Sequence, residues 1–180
     1  MPPVNAATED VKRILPNRRA RMGRECRCEM AKPIPEGLHS VTPALTVDGC
    51  AEAIETWKKA FCAEEMMRAA DPSRKKIWHA AVRIGDSVLF CNDHFPEMMP
   101  NVPRQARLWI YPGGVDKAFQ RAKDAGLKVV MPPGDMFWGD RISELHDRWG
   151  NQWVIAEHVK DLSPAEMKKA QDEAVAKTKK

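Results

Sequence analysis

The sequence predicts an α+β protein built as two tandem βαβββ units followed by an extra C-terminal helix. Three observations lead there. A pattern recurs at a spacing of 65 residues: Gly85-Asp86-Ser87-Val88-Leu89-Phe90 maps onto Gly150-Asn151-Gln152-Trp153-Val154-Ile155, Ala53-Ile54 onto Ala118-Phe119, and residues 42–47 onto 107–112. Within each half, strand-like alternation and helix-like spacing follow one another in the same order. After residue 160 the chain changes character and opens a new helix with the capping box Ser163-Pro164-Ala165-Glu166.

Taken in order, Ser40 to Val47 alternates, with Val41, Pro43, Leu45 and Val47 on one face. Ala51 to Phe61 spaces Ile54, Trp57 and Phe61 helically and turns Lys58 and Lys59 away. Ile77–Ile84 and Val88–Asn92 read as a hairpin around Gly85-Asp86-Ser87. A three-residue turn with a bulge would put Ala80, Val82 and Ile84 on the same face as Val88 and Phe90. The second half repeats the plan: strand Arg107–Tyr111, helix Val115–Ala125 with Val115, Ala118, Phe119 and Ala122 inward, and Gly126 beyond its end. Strands follow at Lys128–Met131, briefly near Glu144, and at Gln152–His158. The last helix is Lys- and Ala-rich, with only Met167, Ala170 and Ala174 as an apolar line, which suits a surface or a partner.

Composition bounds the class. Of 180 residues, 43% are hydrophobic and 30% charged, enough for one domain of ordinary size with a core, or for two very small ones. No run approaches the roughly 18 apolar residues of a membrane helix, and no apolar leader follows the start, which argues against a membrane protein and against secretion. Five cysteines lack paired CxxC spacing, so reduced thiols and a cytoplasmic location are expected. The positive charge is uneven: residues 1–29 carry seven basic residues against four acids. The folded body therefore gives no argument for nucleic-acid binding. Residues 1–31 read as a basic extension: a disordered tail, a contact arm, or translation from a start upstream of Met30.

Several words in the chain are similar to those of the vicinal oxygen chelate (VOC) superfamily, the glyoxalase, bleomycin resistance and extradiol dioxygenase proteins, and most resemble its PhnB-like branch. They are Ile34-Pro35-Glu36-Gly37 leading into Ser40-Val41-Thr42-Pro43, then Ala53-Ile54, Lys58-Lys59-Ala60-Phe61, His79-Ala80, Arg83-Ile84-Gly85-Asp86-Ser87 and Asp93-His94-Phe95-Pro96-Glu97. Phe137-Trp138-Gly139-Asp140-Arg141, Asp147-Arg148-Trp149-Gly150-Asn151-Gln152-Trp153 and Ser163-Pro164-Ala165-Glu166-Met167 complete the set. The resemblance spans residues 32 to about 170. It implies cupped mixed sheets around a cavity, with helices on the outer faces, over residues 32–160 (units about 38–94 and 104–159), then a lysine-rich helix over 161–180. It also implies a homodimer.

Metal-using members of that superfamily place four ligands on the first and last strands of each unit. Carried over by position, those places are Thr42, Leu89, Arg107 and Val154. None is a His, Glu, Gln or Asp, and Arg107 would repel a cation. No cofactor is therefore expected, a divalent metal being the alternative. Alternation would put Thr42, His79, Arg83, Leu89, Cys91, Arg107, Trp109, Tyr111, Glu144, His146 and Val154 on the concave face. His79 and Glu144 are mates under the 65-residue offset, and are either a catalytic proton-transfer pair or a hydrogen-bonded pair tying two strands. Arg107 beside Trp109 and Tyr111 suits an anionic or aromatic ligand, or else is bridged to an acid such as Glu144. Trp138 supplies a further aromatic wall. Gly139 suggests a tight backbone approach in the loop over residues 137–141, and Asp140 with Arg141 reads as an internal ion pair fixing it, or as part of a lid. Met66, Met67, Met98, Met99 and Met136 either line an adaptable pocket or, by default, fill the core.

The function these features imply is small-molecule binding without metal, with the reaction unassigned and enzyme status open. The alternatives are a metal-dependent lyase, isomerase or dioxygenase of the same superfamily, or a drug-sequestering resistance protein.

Overall fold

The structure is a computed structural model describing residues 33–178. The expected extension over residues 1–31 lies outside the described residues. The elements run β1 (Ala44–Val47), α1 (Cys50–Phe61), β2 (Glu64–Ala70), β3 (Ile77–Ile84), β4 (Ser87–Asp93), β5 (Arg107–Ile110), α2 (Val115–Asp124), β6 (Lys128–Asp135), β7 (Asp140–His146), β8 (Gln152–His158) and α3 (Pro164–Thr178). They form two four-stranded sheets, ordered β1-β4-β3-β2 and β5-β8-β7-β6. In each, the first strand runs parallel to the last and the other pairs are antiparallel. This is the predicted α+β architecture of two βαβββ units with mixed sheets.

Each sheet is covered on one face by its own helix. Ala53, Ile54, Trp57 and Phe61 of α1 bury against Leu45, Val82, Leu89 and Cys91. Val115, Ala118 and Ala122 of α2 join the same cluster with Leu145, Trp153 and Ile155. The helices pack on each other, so one core serves both halves. Each large apolar side chain removed from water contributes roughly 1.5–3 kcal/mol, and a shared core therefore couples the halves. Asp147, buried at the end of β7, adds a polar tie. Its carboxylate accepts from Trp57 Nε1 of the first half at 3.2 Å and from Trp153 Nε1 of the second at 3.0 Å, while Trp149 N and Asn151 N donate to its other oxygen.

The β3–β4 hairpin departs from the expected register. Ile84 pairs with Ser87, Val82 with Leu89 and Ala80 with Cys91, around a two-residue turn. Gly85 stands first in that turn at φ +61°, a left-handed backbone that suits glycine and lets two residues reverse the chain. The faces of β4 are consequently exchanged. Leu89 and Cys91 lie under α1, while Val88 and Phe90 face the other way with Ala81 and Arg83. Alternation alone did not decide this, because Ala81 and Val88 on the second face are themselves nearly buried.

The remaining differences have local causes. β1 is shorter than expected, and Thr42 precedes it, half-buried. β2 carries Met66 and Met67 exposed on an edge strand, and Met98 is exposed too, so these three do not fill the core. β6 continues through Pro132 and Pro133 because they fall on an edge strand and in the irregular stretch between Met131 and Gly134, where neither pairs with β7. At Gly139, φ is +97° and a Cβ would meet the Lys160 carbonyl oxygen at 2.1 Å; the close backbone approach read from the sequence is real. α3 opens on the predicted capping box, with Glu166 accepting from Ser163 N at 2.9 Å, and Met167, Ala170 and Ala174 are its half-buried line.

Candidate functional site

Alternation along the second sheet turns Glu144 and His146 of β7, Gln152 and Val154 of β8, and Arg107 and Trp109 of β5 to the face away from α2. The register sets Arg107 opposite Gln152, Trp109 opposite Val154, and Val154 opposite Glu144. Glu144 is the centre of this group. Its Oε2 accepts from the Arg107 guanidinium at 3.1 Å, and its Oε1 lies 3.6 Å from His146 Nε2. His146 Nε2 is buried and has no hydrogen-bond partner among the described residues. The Arg107 guanidinium also sits 5.9 Å from the Trp109 ring centroid, in cation–π range.

The chemistry follows from exposure. Glu144 is 17% exposed and Arg107 52%. So exposed a pair contributes about 0–1 kcal/mol to stability, and an incoming anion can exchange for Glu144 on the guanidinium at little cost. Trp109, 42% exposed, offers a face for stacking. The Glu144–His146 pair can carry a proton. Of the Arg107 readings, the bridge to Glu144 is the one present, and it leaves the anion-binding role available.

His79 is placed elsewhere. It lies on β3 of the first sheet, edge-on to Phe90 at 4.7 Å between centroids, with no hydrogen bond or ion pair to Arg107 or Glu144. The ladder explains why the 65-residue offset misleads. Phe90 pairs with Ala44 and Ala81, as Val154 pairs with Trp109 and Glu144. Ala81, not His79, is the counterpart of Glu144. The same shift makes Phe90, not Leu89, the counterpart of Val154. Tyr111 lies beyond β5 and is 61% exposed.

Asp140 and Arg141 do not pair with each other. As neighbours in β7 they point to opposite faces. Asp140, buried, accepts from Trp138 Nε1 at 3.1 Å and contacts His158 Nδ1 at 2.7 Å. Arg141 makes a two-pronged contact to Asp116 of α2 and a third to Asp135. His158 also meets Asp161 at 3.0 Å, and the two carboxylates, Asp140 foremost, hold its pKa above the ordinary value. Cys91 is fully buried under α1 rather than on the concave face. Its neighbour Cys50 is pushed up by a hydrogen bond to Cys91 and by burial, which suppresses the thiolate.

The four superfamily ligand places do not fit a metal. Thr42, Arg107 and Val154 stand with Phe90, or with Leu89 as carried over, and the set offers one hydroxyl and one cation. Among the described residues no group of three or more His, Cys, Asp or Glu is arranged to hold one. His146 was underweighted in the sequence. The Glu144-x-His146 alternation on one strand was the signal for it. A second space was not legible at all. It is a cavity of about 710 Å³ between the halves, lined by the end of α1, the β3–β4 turn, the β5 segment and Arg121.

Comparisons with known proteins bear on the family and the fold. The sequence model of the Glyoxalase/Bleomycin resistance protein/Dioxygenase superfamily matches residues 37–155, and the chain belongs to that superfamily. It is 34% identical over 141 residues to Uncharacterized protein Rv0887c of Mycobacterium tuberculosis, covering 73% of this chain and 81% of that one. Its fold is similar to that of TioX from Micromonospora sp. ML1 (TM-score 0.52, 20% identity, 69% of this chain and 100% of that one). It is similar as well to a superfamily member from Sphaerobacter thermophilus (TM-score 0.51, 17% identity, 66% and 98%). Among the described residues no helix is long and apolar enough to cross a membrane.

Proposed function

We propose that the chain is a small-molecule-binding protein whose ligand lies on the open face of the second sheet, bound without metal. The observation that carries this is the half-exposed Arg107–Glu144 pair with Trp109 alongside: a cation released by exchange, next to an aromatic wall. An anionic group takes the guanidinium, an apolar or aromatic portion stacks on Trp109, and the displaced Glu144 remains beside His146 for proton transfer. Metal independence is supported by the poor donor set at the superfamily positions. The PhnB-like wording of the sequence supports placement in that branch, and the free thiols at Cys50, Cys62 and Cys91 support a cytoplasmic setting.

We further read the protein as a homodimer, because the open faces are not covered by the chain's own helices. Native mass spectrometry of the purified protein tests the reading, reporting small molecule, metal and subunit count together. A non-covalent organic adduct on a metal-free dimer is expected. One equivalent of divalent metal per chain, with adduct lost on chelation, would favour the lyase or dioxygenase alternative instead.

A further inference from the structure

The cavity between the halves is separate from the polar centre just described, since Arg107, Glu144 and His146 do not line it. Its volume of about 710 Å³ falls within the range of roughly 300–1,000 Å³ usual for ligand sites. Phe61, Leu89, Leu108, Ile110 and Trp153 give it apolar walls, with Trp109 alongside. Its charges are not equivalent. Arg83 is engaged by Glu64, and Asp86, on the exposed turn, accepts from the Ser87 hydroxyl at 2.9 Å. Arg121 differs. Its Nε donates to the Ala60 carbonyl at 2.9 Å, which fixes the side chain, and among the described residues no carboxylate makes an ion pair with it.

A guanidinium anchored through Nε keeps its terminal nitrogens for a planar anion. The surroundings reinforce it. Arg121 also borders a surface groove with Lys59 and Lys117, neither of which is ion-paired among the described residues. Asp124 in that groove is held by Gln120 at 2.7 Å. The local field therefore favours negative charge at the Arg121 end of an otherwise apolar space.

We propose that this cavity is a second ligand site, selective for flat apolar carboxylates, with Arg121 as the anion-binding group. The site does not use Arg107, Glu144 or His146, although Trp109 borders both spaces. Cys62 provides a reporter: it lines the cavity and is exposed, whereas Cys50 and Cys91 are buried.

The test uses the full chain, naphthalene-2-carboxylate as ligand and the neutral naphthalene-2-carboxamide as its control. Alkylation of Cys62 by iodoacetamide is followed by peptide mass mapping. The carboxylate is expected to slow Cys62 alkylation saturably, and the amide to need about tenfold more for the same protection, the factor set by one charge-assisted hydrogen bond. Arg121→Gln removes the carboxylate's advantage. Should that variant fail to fold, the carboxylate–amide comparison on the unaltered protein decides the matter. Absence of protection at millimolar carboxylate, or equal protection by acid and amide, overturns the proposal.

Discussion

The two sheets share a ladder but not a chemistry. Where the second sheet places Glu144, Trp109 and His146 on its open face, the first places Ala81, Ala44 and Arg83, the last already engaged by Glu64. His79 of the first sheet has an aromatic neighbour, Phe90, and no ion pair among the described residues. The helix-covered faces, by contrast, are alike, both apolar and both part of one core. The two units thus share what the fold requires, a buried face under each helix. Their solvent-facing positions differ, and the second half carries the charged centre.

The largest effect should come from breaking the tie between halves. Asp147→Ala strands Trp57 Nε1, Trp153 Nε1 and two backbone donors in a dry core, a loss of about 3–5 kcal/mol for an uncompensated buried polar network. Asp93, also buried, accepts from Gly49 N, Cys50 N and Ile77 N, all within the first half. Asp93→Ala should cost about 1–3 kcal/mol. Urea denaturation compares the two. Equal losses would show that the inter-half contact adds nothing to the local ones.

The second effect concerns binding. Arg107→Ala should weaken an anionic ligand such as benzoate by about 1–3 kcal/mol, read by titration calorimetry, while stability changes by about 0–1 kcal/mol. His79→Ala, in the other sheet, should cost less affinity than Arg107→Ala. Matching losses would mean that both open faces contribute to one site, for instance across a dimer.

What was legible in the sequence follows the same division between halves and faces. The helices, β8, the capping box and the tight packing at Gly139 were readable, because each rests on a local rule of spacing, cap or backbone approach. The β3–β4 register was not, since Ala81 and Val88 make the second face apolar as well and the binary pattern loses its sign. β2 was required by the βαβββ plan but not located along the chain, because Glu64–Ala70 pairs at a sheet edge without alternation. That Arg107, Trp109 and Glu144 share one face was legible from alternation within one sheet. The His79–Glu144 equivalence failed because it required one offset to hold across turns of different length: two residues between β3 and β4, and residues 147–151 between β7 and β8.

The smallest expected effect separates two histidines at matching strand ends. His158 ends β8 between Asp140 and Asp161. His94 follows β4 and has no carboxylate against its ring among the described residues; only its backbone is engaged, with its carbonyl accepting from Lys76 Nζ at 2.9 Å. The folded pKa of His158 is raised, chiefly by Asp140 and then by Asp161. A raised folded pKa means the imidazolium binds its proton more tightly in the native state than in the unfolded chain. Its stabilisation is therefore complete below the unfolded value of about 6.5 and fades as pH rises through the folded value. The side chain is 53% exposed, so solvent screening keeps the effect small. Melting temperatures across that interval should show a shallow fall that disappears in His158→Gln and persists in His94→Gln. A profile unchanged by His158→Gln would mean that the Asp140–His158–Asp161 bridge is too well solvated to matter, and that Asp140 is held by Trp138 alone.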